Sequence, residues 1–147
     1  MVVRTFLPYR KVVKKQNRLV PDTLKTLGDH IRKRRVESNQ MQRDVAATIG
    51  VSEDAVTYWE NNRSQPQVQF YPRIISFLGY YPFDHETDTV GGRLQRLRYC
   101  NGWSYGMCAR AFGVDGTTVQ RWERLNALPK KHLWQMEDLE EKLQYRP

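Results

Sequence analysis

The sequence predicts an all-α protein made of two similar bundles of four to five helices each, preceded by a basic N-terminal arm. Apolar residues recur at three- and four-residue spacing, which is the period of one helix face. Glycine or asparagine follows most of these apolar runs, where helices often end in the left-handed conformation. A stretch of the first half also recurs in the second. The expected divisions are an arm (1–22), a first bundle (23–79), a linker (80–89) and a second bundle with a C-terminal helix (90–147).

The first predicted helix begins directly after the arm. Asp22 or Thr23 is expected to cap it, because short polar side chains accept hydrogen bonds from the first free N–H groups of a helix. Its apolar face is predicted to contain Leu24, Leu27 and Ile31, which lie at helical spacing.

The most informative stretch runs from Gln42 to Glu60 and predicts two short helices joined by a tight turn. Gly50 is expected to end the second helix, because the turn needs a conformation that residues with a Cβ resist. Ser52 is expected to cap the third helix, which continues to Glu60. A fourth helix is expected over about 69–78.

The first bundle recurs 63 residues later without a gap. The matching positions are those expected to form turns and core, so we predict an internal duplication. The pairs are Gly28 and Gly91, Ile31 and Leu94, Arg35 and Arg98, Ala46 and Ala109, Gly50 and Gly113, Val51 and Val114, Val56 and Val119, Trp59 and Trp122, Glu60 and Glu123, and Pro66 and Pro129.

The two copies diverge after Pro129. A last helix is predicted from His132 to Tyr145, with an apolar stripe that either completes the second core, which we favour, or meets another chain. The stripe consists of Leu133, Met136, Leu139 and Leu143.

The charge distribution favours a polyanionic partner. The net charge is +8 and the pI is about 9.7, with a basic arm, a near-balanced first bundle, an acidic linker and a basic second bundle. No apolar run approaches the roughly 20 residues of a membrane-spanning helix, and no signal-peptide pattern is present, so a cytoplasmic protein is expected. Cysteines and histidines lack metal-binding spacing, and no catalytic motif occurs. Neither a metal, a cofactor nor enzymatic activity is therefore expected.

The helix, glycine turn and helix, with the track V-S-x-x-x-V-x-x-W-E, resemble the Cro and lambda-repressor-like helix-turn-helix family, also called XRE. The resemblance covers about 24–79 well and 90–134 less well. It implies that the third helix enters the major groove of DNA and that the second lies across the groove near the backbone. The matching residues are Gln42, Arg43, Val45, Ala46, Ile49, Gly50, Val51, Ser52, Val56, Trp59, Glu60 and Asn61.

The resemblance also implies which residues face the bases. Polar side chains on the outward face of a recognition helix can contact base edges in the major groove. An acid there either accepts from a cytosine amino group or instead favours the positive end of the helix dipole. In the second copy, Arg121 suits guanine and Gln120 suits adenine. The predicted base-reading residues are Ser52, Glu53, Asp54, Thr57, Tyr58, Thr117, Gln120 and Arg121.

Backbone contacts are expected at the start of the second helix and just past the third. Gln42 stands where the family places a phosphate-contacting glutamine, and Tyr105 replaces it in the second copy. The predicted phosphate-contacting residues are Gln42, Arg43, Asn61, Arg63, Tyr105 and Arg124.

Other conspicuous residues are assigned to the fold. Trp59 shares a helix face with Val56 and is therefore expected in the core rather than on a base. The resemblance suggests that the arginine near the end of the first helix pairs with the glutamate that ends the third helix. This applies to Arg35 with Glu60 and equally to Arg98 with Glu123.

The predicted function is a sequence-specific, double-stranded DNA-binding transcription regulator of bacterial or phage type, located in the cytoplasm at the nucleoid. The chain acts either as a monomer with its two units on two half-sites, or as a homodimer. The second unit is either a second DNA reader or a domain retained for pairing. The alternative function is a protein-interaction module, such as an antitoxin-like or phage regulatory adaptor.

Overall fold

The structure is a computed structural model that describes residues 20–83 and 88–143. Within these residues it contains eight α-helices, one 3-10 turn and no strand, so the predicted all-α fold class is confirmed. The predicted basic arm lies almost entirely outside the described residues, as does the middle of the predicted linker. The helices are α1 (Leu27–Glu37), α2 (Gln42–Ile49), α3 (Glu53–Glu60), α4 (Tyr71–Leu78), α5 (Val90–Cys100), α6 (Tyr105–Phe112), α7 (Gly116–Leu125) and α8 (Lys130–Lys142), with the 3-10 turn at Val68–Phe70.

The first helix begins later than the sequence predicted. Thr26 caps it: its side chain accepts a hydrogen bond from the Asp29 N–H (3.1 Å), and the Asp29 carboxylate accepts one from the Thr26 N–H (2.9 Å). This reciprocal pair satisfies two N–H groups at once, which a cap without a partner carboxylate does not. The prediction that Asp22 or Thr23 caps the helix was therefore wrong, and Leu24 lies outside the helix.

The buried Asp29 carboxylate should make stability depend on acid. Burial raises the pKa of Asp29. Hydrogen bonds from the Lys25 and Thr26 N–H groups and from Asn62 together outweigh this effect, so the pKa lies below its ordinary value. Such a group stabilises the fold above its unfolded-state pKa of about 3.9, and this contribution is lost as pH falls through the folded pKa. We expect Asp29→Asn to lower the free energy of unfolding by about 1 kcal/mol at neutral pH. On acidification this variant should lose less stability than the wild type.

Thermal unfolding between about pH 7 and about pH 3 measures this difference. Asp44→Asn is the matched control, because the Asp44 carboxylate accepts from the Met41 N–H in the same way but is exposed. If the wild type and Asp29→Asn lost the same stability as the pH falls, the stabilising role of the Asp29 carboxylate would be wrong.

The turn between α2 and α3 follows the sequence prediction closely. Gly50 adopts the left-handed conformation (φ +82°), and its N–H donates to the Ala46 carbonyl (2.8 Å). The Ser52 hydroxyl then accepts from the Ala55 N–H (3.2 Å), which fixes the start of α3. Both the position of the turn and the two helices are confirmed.

Each unit has its own core. In the first unit, α1 to α4 bury a set of aliphatic residues together with Trp59, which confirms that this tryptophan belongs to the core. The second core has the same plan and is completed by α8 through the fully buried Met136, against which Leu133 and Leu139 pack. The stripe on the last helix is therefore core at these three positions, whereas Leu143 follows the helix and is exposed.

Glycine permits a close approach between the first and third helices of both units. A Cβ built on Gly28 would lie 1.8 Å from the Trp59 carbonyl oxygen, and one on Gly91 would lie 2.5 Å from the Glu123 carbonyl oxygen. Real Cβ atoms do not approach an oxygen so closely, so only glycine fits. The recurrence of glycine at this spacing thus has a packing reason.

The two units meet through a cluster of aromatic rings. Tyr71 of α4 contacts Tyr99 of α5 edge-on (4.9 Å between ring centroids), and Phe83 contacts both Tyr71 (4.9 Å) and Tyr99 (4.7 Å). Beside them, a Cβ on Gly102 would lie 3.1 Å from Pro72. Phe83 therefore packs against both units.

Candidate nucleic-acid interface

One face of α3 is exposed while the opposite face is buried. Val56 and Trp59 face the core, whereas the predicted base-reading residues Ser52, Glu53, Asp54 and Tyr58 are exposed. Tyr58 is the largest of them, with 46% of its surface accessible. The helix therefore presents a continuous polar and aromatic face that no other part of the described chain covers.

Thr57 differs from its neighbours on α3. It is half-buried, and its hydroxyl lies 3.0 Å from both the Gln42 side-chain oxygen and the Glu53 carbonyl oxygen. The Thr57 hydroxyl is thus directed towards α2, and its methyl group is the part left for a contact outside the protein.

Gln42 bridges α2 and α3 instead of pointing freely into solvent. Its amide nitrogen donates to the Glu60 carboxylate (2.9 Å), and its amide oxygen accepts from Thr57. A side-chain amide has two N–H bonds, so one donor remains for a phosphate oxygen. The internal bonds would hold that donor in a fixed orientation.

The other predicted phosphate contacts of the first unit lie on the surface. Asn61 caps the end of α3, and its side chain donates to the Thr57 carbonyl (2.8 Å). Arg63 is exposed and follows this cap, with its N–H bonded to the Tyr58 carbonyl (2.8 Å). Arg43 is also exposed and lies 4.0 Å from Asp44, which is a weak ion pair.

A buried ion pair ties the first helix to the third in both units, as the resemblance suggested. Arg35 donates two hydrogen bonds to Glu60 (2.6 and 2.8 Å), and Arg98 donates two to Glu123 (2.7 and 3.1 Å). Each arginine also donates to the carbonyl five residues further on, both at 3.3 Å. The same three bonds at the same spacing support the internal duplication in structural terms.

Tyr105 takes the place of Gln42 in the second unit and keeps its internal bond. The Tyr105 hydroxyl donates to Glu123 (3.0 Å), and the Arg98 guanidinium lies over the Tyr105 ring (4.1 Å). Burial and the Glu123 charge raise the pKa of Tyr105, so the phenol remains protonated. The Tyr105 hydroxyl has one proton and donates it to Glu123, so this hydrogen bond would have to break before Tyr105 could donate to a phosphate.

The outward face of α7 matches that of α3 in exposure but not in chemistry. Asp115 caps α7 by accepting from the Thr118 N–H (2.9 Å). Thr117, Gln120 and Arg121 are exposed, and no described residue forms an ion pair with Arg121. The acids of α3 are thus replaced by neutral and basic side chains.

The sequence interpretation missed a cavity beside the predicted phosphate contact Arg124. It lies in the second unit against the start of α5, where Gly92 and Gln95 form part of its wall. The signal was present in the repeat: the 63-residue offset places Gly92, which has no side chain, opposite Asp29, whose carboxylate is buried in the first unit.

The remaining titratable groups give no indication of a metal site in the part of the chain that the structure describes. No group of three or more histidine, cysteine or acidic side chains that could hold a metal occurs among residues 20–83 and 88–143. Cys108 is buried, and burial raises the pKa of its thiol to about 12, so it behaves as a small apolar residue of the core. In the same part of the chain, no helix is long and apolar enough to cross a bilayer.

Comparison with protein families gives one match. Residues 31–85 match a family model described as Helix-turn-helix, which covers most of α1 and all of α2, α3 and α4. Comparison with curated proteins and with solved structures gives no significant match. The matched segment contains the glycine turn, the capped α3 and the buried Arg35–Glu60 pair described above. The first unit is therefore similar to helix-turn-helix domains over residues 31–85.

Proposed function

We propose that the chain is a sequence-specific, double-stranded DNA-binding transcription regulator of bacterial or phage type. The observation that carries the proposal is that α3, within the matched helix-turn-helix segment, is buried on one side and exposed on the other. Its apolar side is locked in the core, and its polar side is uncovered. A major groove about 12 Å wide admits one helix, so the uncovered side is the one that reaches base edges.

In this arrangement Tyr58 is the principal base-reading residue of the first unit, because it is the largest exposed side chain on the outward face of α3. Glu53 and Asp54 lie in the first turn of α3, where the helix dipole favours them. There they restrict the adjacent base to one with an exposed amino group, such as cytosine. Arg63 and the free N–H of Gln42 position the helix on the phosphate backbone.

The second unit acts as a second reader through Thr117, Gln120 and Arg121. Its support is the repeated scaffold, with the same buried ion pair, glycine contact and exposed helix face as the first unit. An exposed arginine on such a face suits bidentate contact with guanine. Because the aromatic cluster joins the units, one chain would place its two readers on two half-sites at a set spacing.

We expect Tyr58→Ala to change the preferred DNA sequence, whereas Arg63→Gln should weaken binding to all sequences alike. A base contact discriminates by about 1–3 kcal/mol, whereas a phosphate contact adds affinity that falls with salt. Selection of bound sites from random duplex DNA measures the first effect. The salt dependence of the dissociation constant measures the second, and its slope should become shallower by about one for Arg63→Gln.

Lys131→Gln, which removes an exposed positive charge from α8, is the matched control for the loss of charge. Equal affinity of the wild type for every duplex sequence would rule out a sequence-specific regulator. An unchanged preferred sequence in Tyr58→Ala would remove this residue from the base-reading set.

A protein-interaction module remains the second candidate because of α8. Trp134 on this helix is 71% exposed, and Leu125 at the end of α7 is 60% exposed. Large exposed apolar side chains are common at protein–protein contacts. Copurification of a stoichiometric protein without retention of DNA would favour this function over the first.

A further inference from the structure

The start of α4 packs against the end of α5 and joins the two units there. The Tyr71 ring lies edge-on to the Tyr99 ring (4.9 Å between centroids), and Phe83 contacts both rings. Beside these rings, Gly102 is buried next to Pro72. These contacts form the α4–α5 joint. Domains of one chain move relative to each other unless an apolar interface holds them, so the make-up of this joint decides whether the units keep one relative position.

The repeat shows that the turn itself does not require glycine at position 102. The 63-residue offset places Asn39 of the first unit opposite Gly102, and both residues adopt the left-handed conformation (φ +54° and +66°). The N–H of each donates to the carbonyl three residues earlier, at 3.2 Å in both units. Asparagine tolerates this conformation, and Asn39 is exposed, whereas Gly102 is buried.

The absence of a side chain at Gly102 makes room for the first unit. A Cβ built on Gly102 would lie 3.1 Å from the Pro72 Cγ atom and 3.2 Å from the Gln69 carbonyl oxygen. Both distances are shorter than ordinary van der Waals contact, and Pro72 is held by its ring and by its place in the first turn of α4. A longer side chain at position 102 would therefore push the second unit away from α4 and open the joint.

Each side of the joint is fastened to the recognition helix of its own unit. In the first unit, Arg73 of α4 donates to the Ile49 carbonyl at the end of α2 (3.0 Å), directly before the turn into α3. In the second unit, the Arg98 guanidinium lies over the Tyr99 ring (4.8 Å) and donates two hydrogen bonds to Glu123 of α7. A series of direct contacts therefore connects the turn before α3 with α7 through the joint.

We propose that the α4–α5 joint fixes α7 relative to α3, so that the chain selects DNA by the spacing of two half-sites as well as by their sequence. This inference rests on the proposed function, in which both helices read DNA. One inserted base pair moves a half-site by about 3.4 Å and rotates it by about 35° around the duplex. A rigid joint does not follow this change, whereas loosely tethered units do. Gly102 is thus a positioning residue, because it acts through the position of α7.

The test compares Gly102→Asn with Gly113→Asn in the full chain. Gly113 has nearly the same backbone conformation (φ +68°), but no atom of the described residues lies within 4 Å of a Cβ built there. The control therefore repeats the substitution in a left-handed turn without touching the joint. Pro72→Ala removes the ring on the other side of the contact and takes the place of Gly102→Asn if that variant does not fold.

In one arm, affinity is measured for duplexes that carry the two half-sites selected by the wild type, with the spacer lengthened one base pair at a time. Insertion of five base pairs moves the second half-site to the opposite face of the duplex and should cost the wild type and Gly113→Asn about 100-fold in affinity. Gly102→Asn should bind the original spacing about tenfold more weakly and lose less than about tenfold on the same insertion, because released units tolerate more spacings. Pro72→Ala should change in the same direction.

In the other arm, no DNA is present, and residual dipolar couplings of the backbone amides report the orientation of each unit. One alignment tensor should fit both units of the wild type and of Gly113→Asn. Gly102→Asn should need a separate tensor for each unit, because its joint is open.

The proposal is overturned if the units of the wild type need separate tensors, or if wild-type affinity does not depend on spacer length. It is equally overturned if Gly102→Asn, or Pro72→Ala in its place, behaves as Gly113→Asn does in both arms. Failure of the wild type to bind any duplex would contradict the proposed function instead. The couplings would then still decide whether the joint is rigid.

Discussion

Replacing Arg98 with methionine is expected to lower the free energy of unfolding by about 3–5 kcal/mol. The side chains of Arg98 and Glu123 are only 5% and 7% exposed, and the guanidinium makes both charge-assisted bonds to the carboxylate. Methionine would leave the Glu123 charge buried with the Tyr105 hydroxyl as its remaining side-chain partner. An uncompensated buried charge costs far more than the loss of an exposed pair.

Denaturant unfolding of Arg98→Met measures this cost, and two variants separate its cause. The double substitution of Arg98→Met and Glu123→Leu removes both partners. It should restore much of the stability, because no unpaired charge remains. Arg93→Met breaks the pair with Glu140, in which each side chain is about one third exposed, and should cost less than about 1 kcal/mol. Equal losses in Arg98→Met and Arg93→Met would contradict the importance of burial.

Gly28→Ala should lower the free energy of unfolding by about 3 kcal/mol, although alanine favours a helix by about 1 kcal/mol. The added methyl group would lie 1.8 Å from the Trp59 carbonyl oxygen, which belongs to rigid helical backbone. α1 and α3 must therefore separate, and this movement also strains the Arg35–Glu60 pair that joins them.

The control is Gly79→Ala, where no atom lies within 4 Å of the added methyl group and only the left-handed backbone (φ +80°) resists the change. This should cost about 1–2 kcal/mol. Thermal or denaturant unfolding of the two variants gives the comparison. If Gly28→Ala were as stable as the wild type, the close approach of α1 and α3 would be wrong.

The sequence was sufficient for the centre of the first unit because its signals there are local. Gly50 ends α2 and Ser52 caps α3 through bonds to residues only a few positions away. The Arg35–Glu60 pair was also predictable, but only through the resemblance, because its partners are 25 residues apart. The start of α1 was not predictable in the same way. Thr26 caps the helix together with Asp29, and the Asp29 carboxylate is also bound by Asn62, which follows α3 and is distant in sequence.

Predictions for the candidate interface depend on which atoms remain available after folding. The outward face of α3 followed from helical periodicity, and the structure exposes Tyr58 accordingly. The internal bonds of Gln42 and Tyr105 did not follow from their positions, since both are made to a glutamate on another helix. The shape of the cavity beside Arg124 did not follow from the sequence either, because its walls come from three different helices.

The aromatic cluster makes the solubility of the first unit depend on the second. Tyr71 and Phe83 pack against Tyr99 of the second unit, so deletion of that unit would expose part of two aromatic rings. Exposed apolar surface favours association between molecules. The first unit on its own is therefore expected to be less soluble than the whole chain.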